Sequence, residues 1–186
     1  MPTPTHMSGG TATIFFSLLL VLLLASPAYS QQPGAAAPQR AEVIFKEWME
    51  RMPTADPADN LRQLDSLYAY LQAQKDTCRM AHALSWRSFI HDNTGKLDSA
   101  MQCINDARAM MRGCDSLIYM SIQVNYSGIL LTLGEIDKSI AVSSAAIQAW
   151  NHSWPYSRSL DGLYTNLAIG YAMNGDLEKA IVTFRE

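Results

Sequence analysis

The most constraining stretch of the chain is its last twenty-six residues, Asp161 to Glu186, DGLYTNLAIGYAMNGDLEKAIVTFRE. Two short amphipathic helical patterns meet there at Asn174-Gly175-Asp176, so the segment reads as one antiparallel hairpin. Ala168 and Ala180 are small where two helices must touch, and Tyr164, Leu167, Tyr171, Leu177, Ile181 and Phe184 are expected to fill the gaps around them. The same pattern occurs twice upstream. Aligning Gly95, Gly134 and Gly175 gives intervals of 39 and 41 residues. Within that alignment a small residue stands seven before each glycine (Ser88, Ser127, Ala168) and another five after it (Ala100, Ser139, Ala180). A larger apolar residue stands two after each glycine (Leu97, Ile136, Leu177). A repeated internal pattern with unequal intervals puts the length differences into the loops between hairpins.

Taken in order, residues 31–39 (QQPGAAAPQ) have no amphipathic period and read as a flexible leader. From residue 40, Val43, Ile44, Trp48, Met49 and Met52 fall on one helical face, ended by Pro53. Asp56 is placed to cap a second helix with Pro57 at its first position and Asp59 in its first turn. Leu61, Leu64, Leu67, Tyr68 and Leu71 make the inward stripe of that helix, so residues 40–75 form a diverged N-terminal hairpin. Three further hairpins follow over 77–111, 115–150 and 157–186. The first carries Ala81, Leu84, Arg87, Ser88 and His91, then Leu97, Ala100, Met101, Ile104 and Ala107. The next carries Val124, Ser127, Leu130 and Leu133, then Ile136, Ser139, Ile140, Ser143, Ala146 and Ile147. The last copy runs to Arg185-Glu186 inside its second helix, which predicts that the series continues past this sequence.

On these residues the chain resembles the tetratricopeptide repeat family, whose unit is a helical hairpin of 34 residues. Tyr164, Leu167, Ala168, Tyr171, Gly175, Leu177, Ala180 and Phe184 fall on eight successive signature positions. The middle copy keeps Ser127, Leu130, Gly134, Ser139 and Ala146, and the first keeps Leu84, Ser88, Gly95, Ala100 and Ala107. Both depart from the family at its fourth signature position, having Leu84 and Gln123 where a large aromatic residue is usual. The resemblance covers Ala81 to the end and implies an all-α fold, a right-handed α-solenoid of antiparallel helical hairpins.

Ile14 to Ala25 is an apolar run of twelve, too short to span a bilayer as a helix. With Ala28 and Ser30 behind it, residues 1–30 read as a signal peptide cut before Gln31. The region before the run has no Lys or Arg, and no cysteine follows it, so a lipid anchor by that route is not expected. The mature chain is expected to be exported, periplasmic or extracellular, with no transmembrane helix. Export would place Cys78, Cys103 and Cys114 where pairing is possible. Cys78 and Cys114 stand near the starts of the first helices of neighbouring hairpins and are the pair best placed to approach. The alternative is three small buried thiols.

A net charge of −3 with scattered Lys and Arg gives no footprint for nucleic acid. His6, His82, His91 and His152 make no cluster, the cysteines lack metal spacing, and there is no phosphate loop, nucleophile elbow or HExxH. The chain is therefore expected not to be an enzyme and to need no cofactor or metal. Trp150, Trp154 and Tyr156 form an aromatic connection that either seals the junction between the last two hairpins or stacks on a ligand. Asn125-Tyr126-Ser127 and Asn151-His152-Ser153 match the glycosylation triplet.

The resemblance further implies a concave groove lined by the first helix of each hairpin. Its apolar members here are Phe89, Val124, Leu131, Ile169 and Met173, suited to an apolar peptide or helix. Ser85, Phe89 and Gly162 stand where family members that clamp acidic chaperone tails need charge or amide, which excludes that partner. The expected function is a protein-interaction module. The alternative is the extracytoplasmic sensor region of a longer membrane signalling or transcription regulator, and a helix of the same chain filling the groove is a third arrangement.

Overall fold

A computed structural model describes Val43, Lys46, and residues 55–150 and 158–185. By internal packing the chain divides into Met1–Pro38 and Gln39–Glu186, and every described residue belongs to the second unit. The signal peptide at 1–30, the leader at 31–39, Trp154 and Tyr156 lie outside the described residues, as does the first helix of the N-terminal hairpin apart from Val43 and Lys46. Those two are helical and exposed, so Val43 does not contribute to a buried face.

Among the described residues all regular structure is helical: α1 (Pro57–Ala73), α2 (Thr77–Asn93), α3 (Leu97–Met110), α4 (Ser116–Thr132), α5 (Ile136–Ala149), α6 (Arg158–Met173) and α7 (Leu177–Thr183). Asp side chains start four of them. Asp56, Asp76, Asp115 and Asp176 accept bonds from the amides of Ala58, Arg79, Ile118 and Lys179, satisfying donors that a helix start leaves open. Asp56 is followed by Pro57 at the first helical position, where a missing N–H costs nothing.

Each helix packs on the next in sequence, and α2, α4 and α6 also pack on one another in series. The core is correspondingly divided by junction. Leu64, Leu67 and Leu71 of α1 meet Ala83 and Ile90 of α2. Ala81 and Leu84 of α2 meet Ala100, Ile104 and Ala107 of α3 and Ile118, Ile122 and Ile129 of α4. Met120, Ala146, Leu160 and Leu163 join α4, α5 and α6, and Trp150 packs against them. Burying one such Leu or Ile side chain contributes roughly 1.5–3 kcal/mol. The paired small positions sit where predicted: Ser88, Ser127, Ala168, Ala100, Ser139 and Ala180 are all buried.

Two expectations fail. Of the residues expected to carry α4, Val124, Ser127, Leu130 and Leu133, Ser127 and Leu130 are buried and Val124 is half-buried. The helix also buries Ile118, Met120, Ser121, Ile122, Gln123 and Ile129, because α2, α3, α5 and α6 all pack on it. Leu133, at its C-cap, is 40% exposed. Leu177, Ile181 and Phe184 fill no gap: they are 64%, 55% and 57% exposed, since α7 turns only its Ala180 side into the contact with α6.

Candidate functional site

The row α2, α4, α6 carries the candidate surface, and the way its members touch decides what remains free. At the α4–α6 contact the amide of Asn166 donates to the Val124 carbonyl at 2.9 Å and to Ser127 Oγ at 2.8 Å. At the α2–α4 contact Asn125 does the same to the Ser85 carbonyl at 3.0 Å and to Ser85 Oγ at 2.9 Å. Asn125 and Asn166 both stand nine residues before their turn glycines, and their carbonyl acceptors both stand ten before theirs. Ser88 and Ser127, the small residues of the repeat, donate to those same two carbonyls. Ser139 of α5 closes back on the Ser127 carbonyl at 2.9 Å. These asparagine, serine and carbonyl groups thus form a repeated seam in which the Ser85 and Val124 carbonyls each accept from an Asn amide and a Ser hydroxyl. Sequence reasoning passed over both asparagines, and their common register was the signal that pointed to them. Asn125 is also the first residue of a glycosylation triplet, but its amide is committed inside this seam.

Two glycines of α6 set its approach. A Cβ at Gly162 would lie 2.5 Å from Val124 Cγ2, and one at Gly170 would lie 2.8 Å from Ile140 Cγ1. Neither position admits a side chain without movement of its neighbour. Gly162 was expected to line the groove, and it instead lies inside a helix contact.

The five apolar groove residues are not brought together as one open surface. Phe89 is half-buried beside α1 and meets Trp86 edge to face at 5.6 Å. Val124 is half-buried against α6 and the junction core. Leu131 is half-buried, with Cδ2 3.8 Å from the Cβ position at Gly170. Ile169 and Met173 are 36% and 56% exposed.

Cys78 and Cys114 are joined by a disulfide that ties the start of α2 to the start of α4, with Cα atoms 5.4 Å apart. Cys103 is a free, half-buried thiol whose pKa burial pushes up, away from thiolate chemistry. His82 lies in the α2–α4 seam, where burial lowers its pKa to about 4 against the pull of Asp115. His91, near the other end of α2, is also lowered, by burial first and then by Arg87 and Lys96. Among the described residues no group of three or more His, Cys, Asp or Glu side chains is gathered to hold a metal ion. No helix among them is long and apolar enough to cross a membrane.

The chain matches no protein-family model, and no curated protein matches it significantly in sequence.

Proposed function

We propose that the chain is a non-enzymatic protein-interaction module of the tetratricopeptide repeat type, a right-handed α-solenoid that binds an apolar peptide or amphipathic helix along the row α2, α4, α6. One observation supports the reading: α4 and α6 dock on their predecessors through equivalent residues, Asn125 on Ser85 and Asn166 on Val124. Helices added by one repeated contact present equivalent side chains in line, which is how repeat arrays make extended binding faces. The free part of that line is at α6, where Ile169 and Met173 are exposed. Phe89, Val124 and Leu131 would support the floor of the face more than grip the partner. In this reading the signal peptide at 1–30 exports the module, and the partner is a protein or peptide and not a nucleic acid.

The test is selection of peptides from a displayed random library on the folded chain, followed by binding to Met173→Glu. Because Met173 is exposed, a charge there should leave helicity and melting unchanged while binding of the selected apolar peptides falls tenfold or more, by about the 1.4 kcal/mol that a factor of ten represents. Binding indifferent to the substitution would exclude this face.

A further inference from the structure

The α2–α4 seam departs from its repeat at two places. Thirteen residues before the turn glycines stand His82, Ser121 and Gly162, and nine before them stand Trp86, Asn125 and Asn166. The helix α2 therefore carries a His and a Trp where the later copies carry a small residue and an Asn. These two meet. The Trp86 indole N–H donates to His82 Nε2 at 3.1 Å, and Ser121 Oγ of α4 lies 3.1 Å from the same nitrogen. An indole nitrogen can only donate, so Nε2 is the bare nitrogen of a neutral ring whose proton is on Nδ1. A second proton would have to go on Nε2, where it would point at the indole N–H. Two donors would then face each other in a half-buried seam, where the new charge is less well solvated than in water.

The charged surroundings offer that proton little compensation. From α4, Asp115 favours it, yet its carboxylate already accepts from the Ile118 amide. On α2 itself Arg79 is paired with Asp76, and Arg87 with Asp65 of α1. From α3 the Arg108 guanidinium lies 3.8 Å from the centroid of the Tyr126 ring of α4. Next to the cluster, one turn back along α2, Cys78 is bonded to Cys114. One turn onward are the contacts of Ser85 with the Ser121 carbonyl and with Asn125. The seam is thus covalently closed at one end and held only by hydrogen bonds and packing beyond His82.

We propose that the α2–α4 seam is an acid-sensitive joint: a proton taken up at His82 Nε2 breaks the Trp86–His82–Ser121 cluster, and the two helices part about the Cys78–Cys114 bridge as a hinge. The inference is independent of what the exposed face of α6 binds. Its pH window follows from the ring's two environments. An open seam releases His82 to titrate near its ordinary 6.5, whereas the closed seam holds it at about 4. Between those values the open form binds the proton more readily, so the closed form is fully favoured above about 6.5 and loses that preference as the pH falls toward 4.

The test uses the full chain with its disulfide intact. The imidazole signals are followed by NMR from pH 7.5 down to 3.5, and the rate at which a water-soluble phosphine reduces Cys78–Cys114 is measured over the same range. The same rates measured in His82→Gln remove the pH dependence of the reagent itself. The ratio of the wild-type rate to the variant rate should rise by about tenfold on acidification, as opening exposes the bridge. Trp86→Phe removes the opposing donor and should move the His82 titration upward by about one pH unit, with the rise in reduction rate following it. A flat ratio, a wild-type His82 that titrates near 6.5, or a Trp86→Phe titration that does not move would each overturn the joint. Should His82→Gln fail to fold, Trp86→Phe alone decides, because its two readouts must shift together.

Discussion

Lys75 is the only non-glycine residue among the described residues with left-handed backbone, at φ 57°. It closes the α1–α2 turn as Gly95 closes the α2–α3 turn: its own amide bonds Gln72 O, and the next amide, of Asp76, bonds Leu71 O. Gly95 and Lys96 make the matching pair of bonds to Asp92 and His91. A Cβ in that conformation costs roughly 1–2 kcal/mol, part of which glycine returns through the entropy of the unfolded chain. Lys75 is exposed, so its side chain contributes little in exchange. Lys75→Gly should therefore stabilise the chain by about 0.5–1 kcal/mol, read as a higher denaturant midpoint with an unchanged slope. The turn glycines were legible from the sequence because glycine marks this backbone. Lys75 was not, since a lysine carries no such mark.

At the scale of the helix, Asn125 and Asn166 carry the register of the row. Each makes two bonds across a helix contact, and each acceptor carbonyl also takes a serine hydroxyl from its own helix. Asn166→Ala would leave Ser127 Oγ and the Val124 carbonyl without that donor in a half-buried seam. The expected cost is about 1–3 kcal/mol by chemical denaturation, and Asn125→Ala should cost a similar amount. If Asn166→Ala cost no more than alanine at an exposed helix position, α6 would be held by the Gly162 and Leu163 packing alone. The starts at Asp56, Asp76 and Asp115 and the turns at Gly95, Gly134 and Gly175 were readable from the sequence, whereas α7 ends at Thr183, short of the Arg185-Glu186 expected inside it. The burial pattern of α4 was not, because a helix packed by four others has no polar face to betray its orientation.

Across the whole molecule the Cys78–Cys114 bridge spans a sequence separation of 36 residues, enclosing most of α2 and all of α3. Closing a loop of that length removes enough freedom from the unfolded chain to stabilise the fold by about 4 kcal/mol in the chain-entropy model. Reduction, or replacement of both cysteines by serine, should lower unfolding stability by that order while the helical content at neutral pH persists. A difference below about 1 kcal/mol would mean that the reduced chain keeps α2 and α4 together before folding.

The sequence by itself determined the helical class, the turns and the pairing of small residues inside each hairpin, because these depend on neighbours within about a dozen positions along the chain. It also contained the two asparagines in common register, though nothing local said what they would touch. Only the tertiary structure decided which apolar side chains stay available. Val124 and Leu131 lie against α6, because Gly162 and Gly170 let that helix come close, whereas Ile169 and Met173, further along the same helix, remain exposed. The same holds for His82, whose meaning arises from Trp86 on its own helix and Ser121 thirty-nine residues away on another. A residue's type sets what it can bond, and only the approach of a second helix sets whether it is buried when it does so.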